Sequence, residues 1–100
     1  MLIVLGTAKL GKGALEDGRA ALEAMVAASR AEEGCIDYAY SLDVSDPSIL
    51  RITEQWIDDA ALAAHFQTPH MAAFQQALAG LDVTITGVAK FQADDGAPLM

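Results

Sequence analysis

The sequence predicts an α+β fold in which one four-stranded antiparallel sheet carries its helices on a single face. Three observations predict it. Strand-like segments open and close the chain and flank a turn at its middle, two helical patterns separate them, and the junctions carry glycine, proline or aspartate turn chemistry.

Leu2 to Leu10 are largely aliphatic and end at Gly11-Lys12-Gly13, a first strand and its turn. Leu15, Leu22, Met25, Val26 and Ser29 then recur at three- and four-residue spacing, one face of a long helix expected to end near Glu33-Gly34. Gly18, near the start of that helix, predicts a close approach to the sheet. From Cys35 to Val44 the residues alternate, with Ile36, Tyr38, Tyr40, Leu42 and Val44 on one side and Asp37, Ala39, Ser41 and Asp43 on the other. Ser45-Asp46-Pro47-Ser48 supplies a turn, and Ile49 to Ile57 complete a hairpin.

Asp58-Asp59 can cap a helical segment running through Leu62, His65 and Phe66. Thr68-Pro69 restarts the helix for His70 to Leu78, and Gly80 ends it. Asp82 to Gln92 form a fourth strand, and residues 93–100 a frayed tail.

The order is strand, helix, strand, strand, helix, strand: the ferredoxin-like βαββαβ arrangement. The first strand has large apolar groups of both parities, Leu2 and Val4 against Ile3 and Leu5, so both sheet faces need cover. Two helices cover one face. A second copy of the same sheet is expected on the other, giving a homodimer of dimeric α/β-barrel type. Residues 1–100 are expected to form one domain with its core in about residues 2–92.

Composition narrows the partners. With 53% hydrophobic and 20% charged residues the chain should fold, and its formal net charge of −8 opposes nucleic acid and anionic membrane surfaces. A single cysteine, Cys35, excludes an internal disulfide, and charge returns early at Lys9 and Lys12 without a basic leader. No run approaches eighteen apolar residues, so a soluble cytoplasmic protein is expected. A glycine-rich phosphate loop and a recognisable metal-ligand spacing are both missing, so no cofactor and no metal are expected.

The stretch from Glu33 to Phe74 holds most of the aromatic residues and both histidines. In order it carries Glu33-Gly34-Cys35-Ile36-Asp37-Tyr38, Asp46-Pro47, Glu54-Gln55-Trp56, Ala61-Leu62-Ala63-Ala64-His65 and Thr68-Pro69-His70. That ordered set resembles the antibiotic biosynthesis monooxygenase family, its quinol monooxygenase branch above all, over about residues 2 to 92. The resemblance implies a dimeric ferredoxin-like fold and an oxygenase that uses O2 with neither metal nor flavin. The haem-degrading branch is disfavoured, because Gly6-Thr7, His65 and Gln75 stand where that branch carries Asn, Trp and His.

His65 and Glu54 are the candidate catalytic groups, and Tyr38, Trp56, His70 and Phe74 the candidate substrate-binding ones. An imidazole with a pKa of ~6.5 can accept a proton near neutrality; the competing reading is a structural histidine. Glu54 shares the parity of Ile52 and Trp56, which puts a carboxylate on an apolar face and asks for a partner such as Arg51, Arg19 or a group of the second subunit. Trp56 reads as a core anchor that also borders a cavity, and His70 as a half-exposed packing residue.

The implied reaction is oxidation of a quinol or related dihydroxyaromatic. The protein deprotonates a phenol, the anion passes an electron to O2, and recombination gives a peroxide that collapses to quinone. Phenol at ~10 against histidine at ~6.5 makes the proton transfer uphill by roughly 5 kcal/mol, which hydrogen bonds and exclusion of water must offset. An isomerase or ligand-binding member acting on a small polar metabolite, and a dimeric module without catalysis, are the alternatives.

Overall fold

In the first strand, β1 (Leu2–Leu10), Leu2, Val4, Ala8 and Leu10 are buried while Leu5 and Lys9 are exposed, the two-residue period of a sheet covered on one side. The computed structural model describes residues 1–100. After β1 come α1 (Ala14–Arg30), β2 (Cys35–Leu42), β3 (Ile49–Trp56), α2 (Asp59–His65), α3 (Pro69–Ala79) and β4 (Val83–Gln92). The sheet order is β2-β3-β1-β4, with every neighbouring pair antiparallel. This is the expected ferredoxin-like α+β fold, its second helical region divided in two. No helix is long and apolar enough to cross a membrane.

The division has a local cause. Asp58 caps α2 by accepting from the Ala61 amide at 2.8 Å. Thr68 caps α3 by accepting from the Met71 amide, and its hydroxyl also donates to the His65 carbonyl at 2.8 Å. One threonine thus ends one helix and begins the next, with Pro69 supplying the preset φ of the first helical position.

Two apolar clusters fill the space under the helices. Leu2, Val4, Met25, Tyr38, Trp56, Leu62 and Met71 form one, and Ala8, Leu10, Ala14 and Leu50 the other. Trp56 has no exposed surface, so truncating it to Ala would cost about 3–5 kcal/mol in lost burial and cavity.

Several boundaries differ from expectation. α1 ends at Arg30, because Glu32-Glu33-Gly34 form a turn in which Gly34 takes φ 90° and the Cys35 amide reaches the Glu32 carbonyl. β2 ends at Leu42, since Asp43 turns its carboxylate back onto the Ser45 and Asp46 amides and leaves Val44 fully exposed. A register shift between Cys35 and Asp37 takes Ile36 out of the Tyr38 and Tyr40 row and leaves it half exposed. Gly18 makes its close approach to Leu81, which precedes β4, and not to the sheet: a Cβ there would lie 2.8 Å from the leucine. The helices also stop short of β4, where Ile85 and Val88 are at least half exposed on the helix side of the sheet.

Candidate active site

A cavity of about 510 Å³ opens between α2, α3 and the sheet. Tyr38, Tyr40 and Glu54 project into it from β2 and β3, Phe66 and Phe74 from the helical side, and Ile85, Val88 and Lys90 from β4. Twelve of its fifteen lining residues are hydrophobic, which makes it an apolar chamber with few polar handles, within the ordinary size range of small-molecule sites. A groove of about 370 Å³ between α1 and β2 and one of about 570 Å³ on the open sheet face contain none of the six candidate residues.

Glu54 enters the cavity because its parity on β3 matches that of the buried Leu50 and Trp56. Its partner within the chain corrects the expectation of an arginine: Trp56 Nε1–H donates to Glu54 Oε1 at 2.9 Å. Arg51 has the opposite parity and binds Asp43 at 2.7 Å. Burial pushes the Glu54 carboxyl above its ordinary pKa, and Glu32 adds to this, while the indole hydrogen bond and the His65 ring oppose it without cancelling it. The result is a carboxylate less acidic than usual and a better proton acceptor.

Tyr38 and Tyr40 share one hydrogen bond, hydroxyl to hydroxyl, at 2.8 Å, with rings edge to face at 5.4 Å. Burial is the first cause that holds both phenols well above their ordinary pKa, so both stay neutral donors. Phe74 stacks on Tyr40 with centroids 6.0 Å apart and an interplanar angle of 14°.

His65, Trp56 and His70 do not border the cavity, which corrects the expectation that His65 and Trp56 would. His65 is 1% exposed at the end of α2; it faces inward, with its ring 4.7 Å from Trp56 and 5.5 Å from Tyr38, while the next residue, Phe66, takes the cavity side. His65 Nδ1 lies 2.6 Å from Glu32 Oε2, and His70 Nε2 lies 2.8 Å from the same oxygen. A carboxylate oxygen only accepts, so both ring nitrogens donate.

Glu32 is thus a site residue that sequence reasoning missed. It lies 33 positions from His65 and 38 from His70, in a polar turn like any surface segment, and topology alone brings the three together. The sequence shows no recognisable metal-ligand spacing, yet the fold brings one donor atom each from Glu32, His65 and His70 within 4.8 Å of one another. Cys35 is half buried, with its thiol pushed up by burial, Glu32, Glu54 and Asp37, consistent with a packing role.

A ferredoxin-like sheet with one aromatic, carboxylate-bearing cavity under its helices defines a small-molecule-binding α+β protein. Residues 1–77 match the family described as "Antibiotic biosynthesis monooxygenase", and the chain belongs to that family. The probable quinol monooxygenase YgiN of Escherichia coli is 40% identical over 57 residues, covering 49% of this chain and 55% of its own. The chain spans about half the length of the curated relatives it matches. A Deinococcus radiodurans protein provisionally assigned to the same family superimposes with a TM-score of 0.90 at 30% identity, over 100% of this chain and 99% of its own. PA3566 of Pseudomonas aeruginosa gives 0.76 at 34% identity, over 96% and 94%.

Proposed function

We propose that the chain, acting as a single domain, oxygenates a quinol or related dihydroxyaromatic with O2 inside the cavity under α2 and α3, with no bound cofactor in the chemical step. The observation that carries this reading is Glu54, a carboxylate of weakened acidity facing an aromatic-lined chamber. The family and the likeness to YgiN support the same chemistry.

Glu54 is the proposed base. From a phenol at ~10 to a carboxylate at its ordinary ~4.3 the proton transfer is uphill by roughly 8 kcal/mol, so the raised Glu54 pKa lowers a barrier that would otherwise be larger than for an imidazole. In the Tyr38–Tyr40 pair one hydroxyl proton bridges the two oxygens, which leaves the other as a neutral donor for the phenolate oxygen, and Phe74 supports the aromatic ring. His65 is assigned the positioning of Trp56 and, through it, of Glu54; His70 and Glu32 hold His65 from behind.

After deprotonation the substrate anion gives one electron to O2, and recombination forms a ring peroxide. Loss of water from it leaves a hydroxyquinone, so one oxygen atom stays on the product and the other leaves as water. The substrate supplies all four electrons that reduce O2. Comparing turnover of a quinol panel in air and under nitrogen tests the reading: it requires oxygen-dependent product formation.

The rim favours one alternative. Lys90 and Gln75 border the same cavity, so a small polar metabolite could be held there for isomerisation. Lys90 is paired with Asp59 at 2.9 Å on the exposed side, which draws its charge away from the chamber and favours the oxygenase.

We further propose that a second copy covers the open sheet face. Leu5 and Phe91 are each about half exposed there, at 49% and 51%, and Ile3 is paired with Phe91 across β1 and β4.

A further inference from the structure

We propose that Glu32, His65 and His70 form a binding site for a divalent transition-metal ion of zinc type, separate from the cavity. The three side chains come from the turn after α1, the end of α2 and the first turn of α3. Two imidazole nitrogens converge on one carboxylate oxygen at 2.6 and 2.8 Å, so three donors already share one small volume.

Two imidazoles and one carboxylate suit zinc, with solvent as a further ligand. Metal–ligand bonds of about 2.0–2.2 Å set donors roughly 3.0–3.5 Å apart, so the cluster must open by about half an ångström. Glu32 and His70 can provide that movement, because their side chains are 13% and 26% exposed. His65 cannot move far: its ring is packed against Trp56, Tyr38 and Phe66, which fixes the direction of Nδ1. One donor is therefore rigid and buried, and two are adjustable and open to an arriving ion.

Affinity is bounded by the same packing. Metal at Nδ1 sends the ring proton to Nε2, which is buried without a partner. Leaving that N–H unpaired weakens binding by about 10–100-fold relative to sites whose histidines are supported on both nitrogens. None of the three residues lines the cavity, so the ion would brace the join of α1, α2 and α3 and take no part in oxygen chemistry.

Calorimetric titration of chelator-treated full-length protein with zinc chloride tests this. Saturable binding of one ion per chain is expected, together with a rise in Tm, and absorption bands of low-symmetry cobalt when Co²⁺ is used in its place. Glu32→Gln and His70→Ala should each weaken binding by about tenfold or more, on the scale that loss of even a supporting group costs. The conservative His70→Gln, at a partly exposed position, serves if His70→Ala fails to fold. No saturable binding by the wild-type chain, or binding that these substitutions leave unchanged, overturns the site whatever the protein does with quinols.

Discussion

Trp56 Nε1–H donates to Glu54 Oε1 across 2.9 Å, so the carboxylate that faces the cavity is held by a neutral donor. A cation there would lock Glu54 in its charged, weakly basic form. An indole orients it at far smaller cost to its basicity.

Replacing Glu54 with Gln should lower turnover by about 100-fold or more, the scale for loss of a general base, while the fold persists. Steady-state rates beside circular dichroism check it. A loss below tenfold would move the base elsewhere.

The pH dependence follows in sign. The folded Glu54 pKa is raised, chiefly by burial, so kcat/KM should fall as pH drops through a midpoint above the ordinary carboxylate value of ~4.3. The same shift acts on stability: a carboxyl more basic in the folded state loses folding free energy as pH rises from its unfolded to its folded pKa. Above that window Glu54→Gln should leave Tm unchanged or raised. Melting curves from pH 4 to 8 decide it, and a large drop in Tm at neutral pH would contradict the account.

Trp56→Phe removes the donor and keeps most of the ring. Glu54 should become more basic, moving the acid limb of the rate profile to higher pH, and stability should fall by about 1–3 kcal/mol as the buried carboxylate loses its partner. An unmoved limb would show that the indole does not tune Glu54.

His65→Ala should destabilise the chain by about 2–4 kcal/mol, because it opens a void against Trp56 and strips Glu32 of one donor. Below its Tm the variant should keep measurable turnover with a displaced acid limb. A loss of 100-fold or more with an undisturbed melt would make His65 the base.

How much of this was legible in the chain depends on sequence separation. The caps at Asp58 and Thr68, the hairpin at Asp46-Pro47 and the parity of Glu54 with Trp56 are local patterns, and each appears in the fold. Glu32 joins two histidines more than thirty residues away, and no local pattern reports that. The inward turn of His65 was missed for a similar reason. Helical period gives a direction around an axis, but the side that becomes core is set by what packs against it, here Trp56 and Tyr38 on strands outside the helix that carries His65.

Light scattering should give twice the chain mass at micromolar concentration. Leu5→Asp with Phe91→Asp, both on the open sheet face, should reduce it to one. A wild-type monomer removes the proposed second copy.

Oxygen uptake with stoichiometric product analysis is the most direct test of the central claim. A naphthoquinol or similar dihydroxyaromatic should consume one O2 per hydroxyquinone formed, with no hydrogen peroxide released, and Glu54→Gln should lower the enzyme-dependent part by about 100-fold or more. Peroxide accumulating one for one with quinone, or uptake no faster than in buffer alone, would contradict it.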